Sequence, residues 1–320
     1  MTSDEHDRVV AIGDLNGALA VLRTILRGCA LIDESDRWIG GRTHLIQLGD
    51  IFDRGGGQAC ACLQLLQELR AQATDTGGRV TQLLGNHEVM AVLGDERWVS
   101  VDEYLAYAKD SQRRDWPDRV AAASDDIERQ HHHLSDEVKR ALLSSWQRSN
   151  VPGRDLLGAA MRPTGEIGAI LTALPVAIIS HGSVFCHAGL LPEWAELGLD
   201  GVEERRQDAW RAPADTSNLF RDERGPLWNR RLAMGEADEV RPELVSALAT
   251  LGAQRMVVGH TPTAHVADGQ LGRIATLHEG RLICIDVGLG SRHPAAALIV
   301  DRQGGWEWTQ AGMRALWTAD

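Results

Sequence analysis

Residues 43–54 read Thr43-His44-Leu45-Ile46-Gln47-Leu48-Gly49-Asp50-Ile51-Phe52-Asp53-Arg54. A short run, His44–Leu48, largely apolar, stops at a glycine and passes directly into charged residues. That is the mark of a buried strand closed by a turn. The same pattern recurs outward on both sides. Val9-Val10-Ala11-Ile12 runs into Gly13-Asp14, and Val80–Leu84 into Gly85-Asn86-His87-Glu88. Val184-Phe185-Cys186 precedes His187-Ala188-Gly189, Met256-Val257-Val258 precedes Gly259-His260-Thr261-Pro262, and Leu282–Ile285 precedes Asp286. Between the first three runs, Leu19, Leu22, Ile25 and Leu26 recur at helical spacing, as do Cys62, Leu63, Leu65, Leu66 and Leu69. Strand–helix–strand alternation gives right-handed βαβ units and a mostly parallel sheet. Asp14 to Asp50 and Asp50 to Asn86 are each 36 residues, the length of one such unit.

From Asp95 to about Arg162 the pattern changes to charged, helix-period sequence carrying Trp98, Trp116 and Trp146. No linker separates it from the rest. Residues 1–320 are therefore expected to form one domain with a helical insertion at about 95–162. The segment from about Trp194 to Glu239 reads as long loops with short helices. The C-terminal part reads as a strand at Ala296–Val300 followed by a hairpin around Trp306-Glu307-Trp308.

A chain of 320 residues buries most of its apolar surface without covalent staples. Its 43% apolar and 24% charged residues exclude disorder and collagen-like architecture. With 33 basic against 45 acidic residues the net charge is −12, which argues against nucleic acid as a partner. It leaves room for an anionic substrate, since a local group of arginines or metal ions outweighs the average. The five cysteines (29, 60, 62, 186 and 284) are odd in number and match no zinc spacing, so reduced thiols are expected. No apolar run reaches the ~18 residues of a membrane span. The start, MTSDEHDRVVAIGD, has neither a basic leader nor a long apolar core, so a cytoplasmic protein without signal peptide or membrane partner is expected.

Chemistry collects at the strand ends, where sites form in open α/β sheets. The clusters are Asp14-Leu15-Asn16, Asp50 with Asp53-Arg54, Asn86-His87-Glu88, His187 and His260. Carboxylate, amide oxygen and imidazole together suit Mn²⁺, Fe or Zn²⁺ better than Ca²⁺ or a thiolate-bound metal.

Gly13-Asp14-x-Asn16-Gly17, Gly49-Asp50-x-x-Asp53-Arg54-Gly55, Gly85-Asn86-His87-Glu88, His187-x-Gly189 and Gly259-His260-Thr261-Pro262 resemble the motifs of calcineurin-like metallophosphoesterases. Within that superfamily the pattern is most similar to the phosphoprotein-phosphatase branch and its bacterial, Shewanella-like members. The resemblance implies an α/β fold, a four-layer αββα sandwich of two mixed sheets. It implies two divalent metal ions, with Mn favoured and Fe, Zn or Mg as alternatives. Asp50 would bridge them, Asp14 and Asn16 would complete the first site, and Asn86, His187 and His260 the second. A metal-bridging hydroxide would attack phosphorus in line, with His87 as general acid oriented by Asp53. Arg54, Asn86 and Arg230, the last in Gly225-Pro226-Leu227-Trp228-Asn229-Arg230, would bind substrate. The implied activity is a phosphomonoesterase, a protein phosphatase in particular, whose partner is a phosphorylated protein or a small phosphoester. Two alternatives stay open: a hydrolase of dinucleoside polyphosphates or other small phosphoesters, and a phosphate-binding pseudoenzyme. The second arises because the family's first motif is Asp-x-His, and Asn16 stands where its imidazole would be.

Other residues compete for these roles. His181 rivals His187 but lies in a hairpin turn before the short strand. His265 is too far from His260 to complete a Gly-His-x-His pair, and His131–His133 read as a solvated helical face. Of Trp98, Trp116 and Trp228, the sequence does not select which line the pocket.

Overall fold

The six apolar runs are strands in a computed structural model of the chain, which describes residues 6–54, 57–215, 218–291 and 294–318. Gly55 of the second motif lies outside the described residues. Strands β1 (Arg8–Ile12), β2 (Thr43–Gln47) and β3 (Arg79–Gln82) are parallel neighbours in one sheet. A second sheet holds β4 (Ala177–Ser180), β5 (Ser183–Cys186), β6 (Arg255–Val258), β7 (Ala275–Leu277) and β8 (Leu282–Cys284). Its order is β4-β5-β6-β8-β7, with β5, β6 and β8 parallel and the two edge strands antiparallel. The chain then returns to the first sheet through β9 (Ala296–Asp301), β10 (Gly304–Thr309) and β11 (Gly312–Thr318), giving the order β11-β10-β9-β1-β2-β3. Both sheets are thus mixed, each with a run of three parallel strands.

Helices α1 (Leu19–Gly28) and α2 (Ala59–Asp75) bury the stripes read from sequence, Leu19, Leu22, Ile25 and Leu26 on one, Cys62, Leu66 and Leu69 on the other. Helix α3 (Asn86–Val92) begins at the third motif. Between α3 and β4 lie α4 (Val101–Tyr107), α5 (Asp110–Gln130), α6 (Asp136–Asn150), α7 (Arg154–Met161) and α8 (Gly168–Leu171), the last beyond the 95–162 stretch read from sequence. Trp116 of α5 stacks on Trp146 of α6 at 5.7 Å, which ties these two helices together. Beside the second sheet lie α9 (Pro192–Ala195), α10 (Gly198–Arg211), α11 (Arg231–Met234) and α12 (Ala237–Leu251).

Three elements depart from the sequence reading. Residues 198–211 form one helix of 14 residues rather than long loops with short helices. It buries only Val202, Arg206 and Ala209, so its apolar stripe is too thin to show a period. Strands β4 and β7 lacked a sequence signal because they are edge strands, partly solvated and only four and three residues long.

The two sheets meet in close contact just past the ends of β1 and β8. A Cβ on Gly13 would overlap the carbonyl group of Ile285, so only glycine fits there. We therefore expect Gly13→Ala to cost about 1–3 kcal/mol in urea unfolding, because backbone must move to admit the methyl group. Gly158, inside α7 with nothing within 4 Å of its would-be Cβ, is the control. Gly158→Ala should stabilise by up to about 1 kcal/mol through helix propensity. Equal effects at both positions would contradict the packing argument.

Candidate metal and phosphate site

Each motif residue sits one to seven positions beyond a parallel strand, and the chain there is held in unusual conformations. Asn16, Asp50, Asp53, Arg54 and His260 all have positive φ (+46°, +54°, +66°, +59° and +61°). Non-glycine residues in that region mark strain that surrounding contacts must hold. Glu88 supplies much of that restraint. Its carboxylate accepts the amides of Asp50 (2.7 Å), Ile51 (2.8 Å) and Gly85 (2.9 Å), pinning the β2 loop to the start of α3. The α3 amide of His87 in turn donates to Asp50 Oδ1 at 3.1 Å.

The second sheet brings its own residues to the same place. The His260 amide donates to Asp14 Oδ1 at 3.0 Å, joining chain positions 246 residues apart. His187 Nδ1 donates to the Leu48 carbonyl at 2.8 Å. Its Nε2 is left with a lone pair, which faces Asn86 Oδ1 at 2.9 Å and Asp50 Oδ1 at 3.4 Å. His260 Nε2 donates to the Trp228 carbonyl at 3.2 Å, which leaves Nδ1 as its free donor of electrons. Asp50, His187 and His260 offer ligand atoms within 4.8 Å of one another. Electron-pair donors that converge this closely repel unless a cation lies among them. The set therefore fits a divalent ion of the kind that accepts mixed oxygen and nitrogen ligands.

The electrostatics agree. Burial and the neighbouring charge of Asp286, then that of Asp50, push Asp14 well above the carboxylate range. Burial also works against the Asp50 charge, but His187, His87 and His260 hold it below the ordinary value. Burial, opposed by the Asp50 carboxylate, pushes His187 and His260 down, toward the neutral form that ligates.

His87 stands beside this group. Its Nδ1 is 2.6 Å from Asp53 Oδ2, and its Nε2, 3.9 Å from Asp50 Oδ2, is buried with no hydrogen-bond partner. Burial opposes its charge, but Asp50 and Asp53 outweigh it, so the ring keeps its proton above the ordinary histidine range. Arg54 lies over the Trp98 ring at 5.2 Å, and Trp98 is 6.5 Å from the His87 ring and half exposed. Arg230 Nη1 donates to the His260 carbonyl (3.0 Å) and Thr261 Oγ1 (3.3 Å), and burial together with the Arg54 charge lowers its affinity for its proton. Two guanidinium groups thus bear on one cleft.

Of the remaining sequence candidates, Asn16 carries its amide against the Phe52 carbonyl, Nδ2 donating at 3.3 Å. His181 lies in the β4–β5 turn, and His265 in a short 3₁₀ turn. His131–His133 follow the end of α5, their rings in contact with one another. Trp98 and Trp228 border the site, whereas Trp116 belongs to the insertion. Two buried acids have roles that the sequence motifs did not assign. Glu103 accepts the Asp53 amide at 3.2 Å while capping α4 through Ser100, tying the insertion to the His87 partner. Its signal is the Ser100-x-x-Glu103 capping box. Glu88, the last residue of the third motif, is the anchor described above.

A family model for calcineurin-like phosphoesterases matches residues 7–264, and the chain belongs to that family. It is similar to Shewanella-like protein phosphatase 2 of Arabidopsis thaliana, 29% identical over 303 residues, which span 89% of this chain and 72% of that one. It is also similar to Shewanella-like protein phosphatase 1 of Plasmodium berghei, 25% identical, covering 80% and 61% of the two chains. Among solved structures, a cold-active protein tyrosine phosphatase superposes with a TM-score of 0.71 at 25% identity, covering 98% of this chain and 79% of the other. The chain is a hydrolase of the metal-dependent phosphoesterase class.

Asp53 gives a test of the His87 arrangement. Were His87 a general acid, its active form would be the protonated one, with activity present below its pKa and lost as pH rises through it. Asp53→Asn removes one of the two carboxylates that raise it. The alkaline limb of the kcat profile should move to lower pH, and activity should fall by less than the roughly 10²–10⁴-fold expected for losing the acid itself. An unmoved limb would show that Asp53 does not govern the proton.

Proposed function

We propose that this chain is a divalent-metal-dependent phosphomonoesterase acting on phosphorylated protein side chains in the cytoplasm, with Mn²⁺ as its working ion. The observation that carries the reading is His87: Nδ1 fixed to Asp53 at 2.6 Å, Nε2 buried without a partner, next to the Asp50–His187–His260 group. A proton donor is of use beside a leaving oxygen, and that position is where a phosphate bound at the group would present one. The Shewanella-like phosphatase relatives and the tyrosine phosphatase neighbour support the same substrate class.

In this reading Asp14, Asn16 and Asp50 would hold one ion, and Asp50, Asn86, His187 and His260 the other. A pair of divalent ions supplies, when bound, an activated water and a clamp on phosphoryl oxygens. The protein's own residues do the rest. Arg54 and Arg230 grip the phosphoryl oxygens, because a planar guanidinium matches them in pairs. Asp53 fixes the imidazole tautomer, and His87 delivers its Nε2 proton to the departing oxygen. The exposed ring of Trp98, beside both Arg54 and His87, offers an aromatic wall on which an aryl phosphate can lie.

The test is a panel of phosphotyrosine and phosphoserine peptides, diadenosine tetraphosphate and p-nitrophenyl phosphate, with and without Mn²⁺. Turnover of phosphopeptides that requires Mn²⁺ is expected, and preference for the dinucleotide would overturn the reading. Within the panel, His87→Asn should reduce phosphoserine hydrolysis by roughly 10²–10⁴-fold. It should reduce p-nitrophenyl phosphate hydrolysis far less, because that leaving group needs little protonation. Equal losses would mean that His87 serves the metals or binding instead.

A further inference from the structure

A cavity of about 480 Å³ lies at the outer edge of β3 and shares no lining residue with the site above. Residues from both faces of β3 border it, Arg79 and Thr81 from one, Val80 and Gln82 from the other, as an edge strand allows. Helix α2 lines one side with Gln67, Arg70 and Thr74, spaced three and four residues apart and so on one face. Its volume falls in the range of small-ligand sites, roughly 300–1,000 Å³.

The polar groups here are donors that lack acceptors. No carboxylate lines the cavity, in a chain with 45 acidic residues against 33 basic. Arg70 and Arg79 are exposed, and among the described residues neither guanidinium has an ion-pair or hydrogen-bond partner. Gln82 is 4% exposed. Its Oε1 accepts from Gln67 Nε2, but its own Nε2 is buried with no partner. Both hydroxyls are committed elsewhere, Thr74 Oγ1 to the Arg70 carbonyl at 3.0 Å and Thr81 Oγ1 to His44 Nε2 at 2.8 Å. An amide thus stands where a glutamate would offer the two arginines a counter-charge. A buried N–H left without an acceptor is costly, and two uncompensated cations share its cavity. The arrangement fits an anion that brings several acceptor oxygens.

We propose that this cavity binds a phosphate-type oxyanion, Arg70 and Arg79 pairing with its outer oxygens and Gln82 Nε2 donating from within. Such a group arrives as free inorganic phosphate or as a second phosphoryl group on a phosphorylated substrate, and the latter source rests on the function proposed above. Gln82 precedes Asn86 by four residues, about 13 Å of extended chain. The oxyanion therefore stands apart from the metal and phosphate site, yet within the span of one substrate segment.

Calorimetric titration of inorganic phosphate into the metal-free full chain tests it, with the thermal midpoint followed in parallel. The parent should bind phosphate, and Arg54→Gln, altered at the other site, should bind it within about twofold. The paired variant Arg70→Gln with Arg79→Gln should bind it roughly 10-fold or more weakly. That variant should melt with the parent and keep its kcat for p-nitrophenyl phosphate within about twofold. Gln82→Glu sets a carboxylate before the two guanidiniums, so it should also lose phosphate while melting no lower. Unchanged binding in the paired variant would overturn the proposal. So would binding abolished by Arg54→Gln, or a parent that takes up no phosphate. Peptides carrying one phosphoserine, or a second about four residues away, separate the sources. A KM raised in the paired variant for the doubly phosphorylated peptide alone assigns the site to substrate. Unchanged KM for both, with phosphate binding lost, assigns it to free phosphate. Failure to hydrolyse any phosphopeptide would remove the function proposed above and leave the phosphate titration to stand.

Discussion

At the end of β1 the chain has no side chain to spare: Gly13 lies against the Ile285 carbonyl, and the next residue, Asp14, accepts the amide of His260. This meeting of two sheets fixes the rest. It sets the distance between the strand ends of one sheet and those of the other, and so decides which side chains share the cleft. The second tie, His187 to the Leu48 carbonyl, fixes the same spacing from the opposite direction. With both in place, residues from β1 and β2 face residues from β5, β6 and β8 without any loop having to reach.

The cost of this geometry is electrostatic. Asp14, Asp50, Glu88 and Asp286 are all at most 5% exposed within one region. They are not equivalent. Glu88 is surrounded by three amides and acts as a structural anchor. Asp50 is balanced by histidines. Asp14 and Asp286 are both pushed upward, the latter to about 6 chiefly through burial. The guanidinium charges of Arg54 and Arg230 oppose part of this at Asp286, and a bound dication is the other means by which a protein interior holds such charge.

The central strands and the first two helices were legible because each is buried, and most of those strands are marked by a glycine just past their ends. The strand-end polar residues were legible for the same reason: a charged side chain directly after a buried apolar run stands at the rim of the sheet, where crevices form. What escaped was everything whose signal is tertiary. Edge strands β4 and β7 are too short and too solvated to show alternation. Helix α10 is polar on most of its surface. Glu103 had a readable role as a cap, but its second bond, to the Asp53 amide, crosses 50 residues and leaves no trace in local sequence. Among the tryptophans the sequence did not choose. The choice falls to Arg54, whose stacking partner is Trp98, and to His260, whose ring meets Trp228 edge-on.

Strand order has a consequence for how such a chain is made. β1 lies between β2 and β9, and β9 belongs to the last part of the chain. Ribosomal synthesis therefore delivers β1, β2 and β3 early and must then extend the chain by about 210 residues before β9 exists. At about 5–20 residues per second that interval is roughly 10–40 seconds. Throughout it, Val9–Ile12, fully buried in the finished protein, present an apolar edge with unpaired amides and carbonyls. The second sheet is made during the same wait, and Asp14 meets His260 only near its close. Sealing the β1 edge and assembling the cleft are thus late and nearly simultaneous events. A nascent chain halted between β3 and β9 would be both inactive and prone to pair with its neighbours.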